Sequence, residues 1–412
     1  MDLLLKNIGL LATPTGTAAV SGAEQKNIKL IENAMVGVKD RNISYVGTFE
    51  PFLSADNTID CEGALVTPGL VDAHTHLVFG GWRQNEFPLK LAGVPYLEIL
   101  RQGGGILNTV NATRSESEDN LIAKGKNLLD EMLCHGTTTV ECKSGYGLNL
   151  ETELKQLRVT HKLGSTHPVD TVATFMGAHA VAGEYSDNRE AYIRLLCDEI
   201  MPAVADEGIA EFCDIFCELS VFSPDESRMI LTRAAESGFK LKIHADEINP
   251  IGGAELSSEM GCISAEHLIE SSDEGIRAMA EKNVIAVLLP TTSFYLGKPY
   301  ARARTMVKEG VAVAVATDFN PGSSPNLNLQ LSMNLACLNY RLTPSEVLTA
   351  VTLNAAAAIN RAETIGSIEP GKKADLVIWN APDLDMIFYR FGSNQVKTVI
   401  KNGICYQNKG EV

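Results

Sequence analysis

Two histidines one residue apart close the apolar run PGLVDAHTH (68–76), and an arginine follows seven residues after the second. On a strand, residues i and i+2 point to one face. His74 and His76 would then aim two imidazoles at a common point, with Asp72 below them. Neutral imidazoles that converge suit a divalent metal. A lone HxH also fits an exposed strand end, so the rest of the set decides. His244 in KIHADE and Asp318 in VATDF can complete it as three nitrogens and one carboxylate oxygen. That donor set fits zinc or iron (Zn²⁺, or Fe²⁺/Fe³⁺) with room left for a water. An ion so held would bring the pKa of its water to ~7. His267 is the residue expected to orient or deprotonate that water together with Asp318, and their shares stay open. Glu247, three residues past His244, can reach a leaving nitrogen with the proton; its plain alternative is a surface carboxylate.

These residues need elements that bring them together. Eight apolar segments are expected as buried strands: 64–76, 137–145, 169–179, 211–218, 239–247, 262–268, 283–290 and 311–319. Helical patterns such as 118–135, 150–163 and 189–207 lie between them. Eight strand–helix units in series predict an α/β fold, a (β/α)₈ TIM-like barrel over 64–363. Five of the eight histidines fall at ends of these strands, where barrel chemistry sits. The fifth segment ends in His244, Asp246 and Glu247. Short strands with Gly and Asn turns at both chain ends predict a small β-sandwich domain built from 1–63 and 364–412. The stretch QGGGILNT (102–109) lacks a phosphate-loop pattern and reads as a flexible loop.

Composition narrows the partners. Of 412 residues, 35 are Lys or Arg and 51 are Asp or Glu, a formal charge of −16, which argues against nucleic acid. A small anion could still bind, given a local cation. The nine cysteines show no CxxC pair, and Cys213 and Cys217 read as reduced core thiols. No signal core and no long apolar span is seen, so a cytoplasmic protein without membrane contact is expected.

The ordered set PGLVDAHTH, a fifth-strand His, a sixth-strand His and ATD, with GSIEPGKKADLVIW near the end, resembles the amidohydrolase superfamily of metal-dependent hydrolases. Within it, FGGWRQNEF (79–87), KSGYGLN (143–149), FMGAHA (175–180), HADEI (244–248) and ATDFNPGSSP (316–325) resemble the imidazolonepropionase family. The resemblance implies ring opening of 4-imidazolone-5-propanoate by water in histidine degradation. It implies one zinc or iron ion on His74, His76, His244 and Asp318, and a homodimer. It also implies substrate contacts from Arg83, Tyr146, His179, Glu247, Asn320, Gly322 and Ser323.

The residues are compatible with this. Arg83 offers a fork for a carboxylate, and a glycine at 322 admits close backbone approach. Each also has a plainer role: Arg83 in a surface ion pair, Tyr146 in loop packing, Ser323 as a helix cap, His267 as a structural imidazole. Two-metal superfamily members bridge their ions with a carboxylated lysine on the fourth strand. EFCDIFCE (211–218) has none, which favours one ion; Lys143 follows the second strand, and Lys242 has no assigned place. An aminohydrolase acting on a purine, pyrimidine or triazine is the alternative on the same scaffold. A metal-free scaffold protein is the more remote one.

Overall fold

The computed structural model describes residues 1–48, 50–94, 98 and 103–407. The chain first lays down β1 (Leu3–Thr13), β2 (Lys29–Lys39), β3 (Asn42–Thr48), β4 (Asn57–Asp60) and β5 (Leu65–Pro68). Then come β6 (Leu70–Asp72), β7 (Thr137–Lys143), β8 (Asp170–Ala178), β9 (Phe212–Cys217), β10 (Lys240–Ala245), β11 (Ser264–His267), β12 (Ile285–Leu288) and β13 (Val313–Val315). It ends with β14 (Leu376–Trp379), β15 (Val396–Lys401) and β16 (Ile404–Gln407).

The strands β6 to β13 pair in sequence order as one parallel sheet, the core of a (β/α)₈ barrel. All eight expected barrel strands are present. The first and last meet just past their ends, where the Asp318 amide donates to the His74 carbonyl (3.0 Å) and the His76 amide to the Phe319 carbonyl (2.8 Å). Asp72 adds a side-chain tie, accepting from the Thr317 amide (3.1 Å) and hydroxyl (2.6 Å). The barrel therefore closes at the histidine pair.

Chain ends supply the second sheet, in the order β16-β15-β14-β5-β1-β2-β3 with β4 also on β1. It is mixed: β4 and β5 run parallel to β1, and its other pairings are antiparallel.

Three expectations change. The segment 64–76 is two strands: Leu65–Pro68 joins the small sheet and Leu70–Asp72 starts the barrel. Pro68 and Gly69 mark the handover, a turn signal set between two apolar stretches. In QGGGILNT, Ile106 opens a helix (Ile106–Ser115) behind Gly105, whose φ of 74° suits the entry turn; Gln102 lies outside the described residues. The helix over 189–207 carries a π turn at Leu196–Ile200. Pro202 has no N–H to donate to the preceding turn, so the hydrogen-bond ladder shifts there.

Alternation sorts the barrel strands into two faces. Val140, Cys142, Cys213, Ile215, Leu241, Ile243 and Ala265 join the apolar core shared with the helices. The alternate positions carry Glu141, Lys143, Asp214, Lys242, His244 and Glu266, all buried. Barrel interiors are usually filled by branched apolar side chains. This one is charged on β7, β9, β10 and β11, whereas Val71, Val172, Phe212, Val287 and Ala314 keep the rest apolar. Cys213 and Cys217 are buried free thiols.

Candidate metal centre and anion site

His74 and His76 follow β6, His244 is the next-to-last residue of β10, and one nitrogen of each lies within 4.8 Å of the others. The three side chains are almost wholly buried. His74 Nε2, His76 Nδ1 and His244 Nε2 have no hydrogen-bond partner. Orphaned buried nitrogens are costly, and His74 Nε2 and His244 Nε2, with a His76 nitrogen in the same cluster, fit a divalent cation. Asp318 stands beside them, its Oδ1 3.4 Å from His74 Nε2 and 3.7 Å from His76 Nε2. Thr292 donates to the other carboxylate oxygen (2.6 Å), which leaves Oδ1 facing the histidines.

Two carboxylates fix these rings. Glu266 Oε2 meets His74 Nδ1 at 2.8 Å, and Asp214 Oδ1 meets His244 Nδ1 at 3.1 Å. Such partners set the tautomer and turn the free Nε2 toward the ion. Burial, then the Lys143 charge, holds His74 well below the ordinary imidazole range; burial and His179 do the same for His76. Both are neutral, as ligands must be. Burial also opposes charge on His244, but Asp214 outweighs it and raises that ring.

Asp214 and Glu266 escaped the sequence reading. Their signal was the two-residue alternation, since Asp214 lies on the fourth strand where a lysine was sought and Glu266 immediately precedes His267. Asp246 proves structural: it accepts from the amides of Ile251 (3.1 Å), Gly253 (2.9 Å) and Ala254 (2.9 Å), fixing the loop after β10.

Glu247 lies 3.7 Å from His267 Nε2, its side chain 16% exposed. Burial pushes its carboxyl up to about 7, with His244 and Lys298 pulling down and Glu218 pushing up. Glu218 pins the loop that carries it, accepting from the Ile248 (3.0 Å) and Asn249 (3.2 Å) amides. Burial takes His267 down to about 3, against the pull of Asp318, so this ring is neutral near pH 7. His179 stacks on His76 (centroids 4.8 Å apart) and donates from Nδ1 to the Gly145 carbonyl (3.1 Å). Gly145 has φ of 103°, and a Cβ there would sit 2.7 Å from the Met176 carbonyl oxygen and 2.9 Å from His179. Only glycine lets the Ser144–Tyr146 turn pass so close. Tyr146 is buried between His76 and His179, at 5.8 and 5.3 Å.

On the rim, Asn320 organises the loop after β13. Its Oδ1 accepts from the amides of Gly322 (2.8 Å) and Ser323 (2.7 Å), and its Nδ2 donates to the Asp318 carbonyl (2.7 Å). A Cβ on Gly322 would meet Arg83 Nη1 at 2.2 Å, so glycine makes room for the guanidinium. Arg83 is not an isolated fork. Its Nε (2.9 Å) and Nη2 (2.8 Å) both donate to Glu86, whose Oε1 also accepts from the Gly105 amide (2.7 Å). Glu86 was missed, although an Arg-x-x-Glu spacing is a local signal.

A cavity of about 440 Å³ opens elsewhere, among Thr139, Asp170, Glu211, Arg361 and Lys373, where the barrel strands begin. Its ions pair with one another, Lys373 with Asp170 (2.9 Å) and Arg361 with Glu211, and it holds none of the residues above. Among the described residues no helix is long and apolar enough to cross a membrane.

Residues 65–405 match the amidohydrolase family. The chain is 52% identical to an imidazolonepropionase of Bacillus cytotoxicus, covering 100% of this chain and 98% of that one. It is also 52% identical to one of Alkaliphilus oremlandii, over 100% and 99%. Among solved structures, an adenosine deaminase from Xanthomonas campestris with bound zinc superposes with a TM-score of 0.70 at 21% identity, covering 98% of this chain and 92% of that one. The E. coli guanine deaminase gives 0.73 at 16% identity, with 98% of each chain covered. The two deaminases speak to the fold alone.

Proposed function

The chain belongs to the amidohydrolase family and, within it, to the imidazolonepropionases, and from that premise we infer that it opens the ring of 4-imidazolone-5-propanoate with water to give N-formimidoyl-L-glutamate. The observation that carries this reading is the packing of Arg83 on Gly322, in the loop that follows Asp318, which supports an anion anchor beside the proposed hydrolytic centre. Nucleobases and triazines have no carboxylate for such an anchor, which weighs against the aminohydrolase reading.

One ion, zinc or iron, would be held by His74, His76, His244 and Asp318, supplying Lewis acidity toward water and the ring carbonyl. The chain's own groups do the rest. Arg83, with Tyr146 and His179, holds the propanoate. Asn320 shapes the loop through which Gly322 and Ser323 meet the ligand. Glu247 takes a proton from the attacking water and delivers it to the ring nitrogen as the C–N bond breaks. His267, being neutral, donates a hydrogen bond to the carbonyl oxygen as charge develops there. Asp318 orients the water. A cytoplasmic homodimer completes the reading.

Loss of the ring's ultraviolet absorption tests it. Metal-loaded protein should consume 4-imidazolone-5-propanoate, and absence of turnover would overturn the substrate. Arg83→Ala should raise KM roughly 10–100-fold, the value of one charge-assisted hydrogen-bonded contact, with a smaller change in kcat. Glu86→Gln should raise KM in the same direction but by less, because the guanidinium loses its charged brace and keeps its own charge. An unchanged KM in both variants would move the carboxylate anchor elsewhere.

A further inference from the structure

Five charged side chains lie inside the barrel beneath the histidines, and none is needed at the reacting atoms. Glu141, Asp214, Lys242 and Glu266 are 0% exposed and Lys143 is 1% exposed. They form two chains that end on metal-ligand candidates. In one, Lys143 Nζ donates to Asp214 Oδ2 (2.7 Å), and Asp214 Oδ1 meets His244 Nδ1 (3.1 Å). In the other, Lys242 Nζ lies 3.6 Å from Glu266 Oε1, and Glu266 Oε2 meets His74 Nδ1 (2.8 Å). Glu141 joins the two, with Oε2 2.9 Å from Lys143 and Oε1 accepting from Lys242 at 2.8 Å. Thr174 (2.5 Å) also donates to Glu141, and Ser264 (2.5 Å) to Glu266.

Stability alone does not account for this. Apolar residues fill such interiors at least as well, and buried ion pairs add little net stability over them. What the network does is hold two carboxylates in fixed positions. Without the ammonium groups, three buried carboxylates would repel, and Asp214 and Glu266 would turn or take up protons. Either change frees the His244 and His74 rings to rotate, and the three nitrogens no longer converge. The pairing also crosses the barrel: Glu141 and Lys143 come from β7, which contributes no ligand of its own.

We propose that Glu141, Lys143 and Lys242 are positioning residues that set how tightly the His74–His76–His244–Asp318 centre holds a divalent ion. This rests on the reading of that centre as a metal site, and the test separates the two. Metal-stripped protein is titrated with Co²⁺, whose visible bands report ligand geometry, for the wild type, Glu141→Gln and Lys143→Met. Circular dichroism checks that each variant is folded. The expected result is one Co²⁺ per wild-type chain and a dissociation constant raised roughly 10-fold in the variants, the low end of the cost of losing a ligand's own partner because these residues act through Asp214 and Glu266, with displaced bands. Should Lys143→Met fail to fold, the near-isosteric Glu141→Gln decides. Folded variants with wild-type affinity and spectrum would overturn the proposal. A wild type that binds no Co²⁺ would overturn the metal reading itself.

Discussion

Glu247→Gln leaves the divalent ion bound and lowers kcat by roughly 10²–10⁴-fold, the range for removing a general acid–base. Metal content should hold because Glu247 is outside the cluster of His74, His76 and His244. Turnover should fall because glutamine is close in shape but cannot take the water's proton. The pH profile makes the assignment specific. Burial brings the Glu247 carboxyl up to about 7, and the base works only as the carboxylate. The wild-type kcat/KM should therefore rise with pH through about 7 and level off above it, and the residual activity of the variant should lack that limb. Stability carries the opposite sign. A carboxyl whose folded pKa is raised contributes most below its unfolded value of 4.5, and this is lost as pH rises through about 7. At pH 8 the glutamine variant should therefore melt no lower than wild type, and somewhat higher. Turnover within a few fold of wild type would remove Glu247 from the proton path.

The eight barrel strands were legible because each is a short segment with at least one apolar face, set in series between helical patterns. Their polar ends were legible too, since His74, His76, His244 and His267 interrupt those runs. What alternation conveys is a face, not a partner. Lys242 shares a face with His244 in the sequence, but its carboxylate, Glu141, lies on β7, 101 residues earlier. No local pattern encodes a pairing across a closed sheet. Lys143 stands off the expected strand for the same reason: two-metal relatives carry their lysine on the fourth strand, whereas here that strand offers Asp214 to a lysine from the second. At 64–76 the handover between sheets is marked only by Pro68 and Gly69, with apolar stretches on either side. At Arg83 the fork was legible and its brace, Glu86, was passed over, because a charged pair three residues apart is usually a solvated surface pair. Here the partners are only 9% and 2% exposed.

Removing the ion should abolish turnover and lower the melting temperature, and adding back zinc or iron(II) should restore both. An ion that binds only the folded chain stabilises it by RT ln(1 + [L]/Kd), about 4 kcal/mol at a thousandfold excess over Kd. His76→Ala should erase this difference, so that stripped and metal-treated samples melt together. The effect should also be local. His74 and His76 follow the first barrel strand and Asp318 the last, and the bonds joining these ends include the Asp318 amide to the His74 carbonyl (3.0 Å) and the His76 amide to the Phe319 carbonyl (2.8 Å). An ion shared by those side chains cross-links the seam where the barrel closes, and His244 ties that seam to the strands opposite. Hydrogen exchange at the His76 and Asp318 amides should therefore quicken on stripping, while amides of the small sheet, such as those of β14, should not change. Equal melting temperatures with and without the ion, or exchange that quickens evenly along the chain, would mean that the histidines hold their places without it. The seam would then be closed by these backbone hydrogen bonds and the Asp72–Thr317 tie, with no help from an ion.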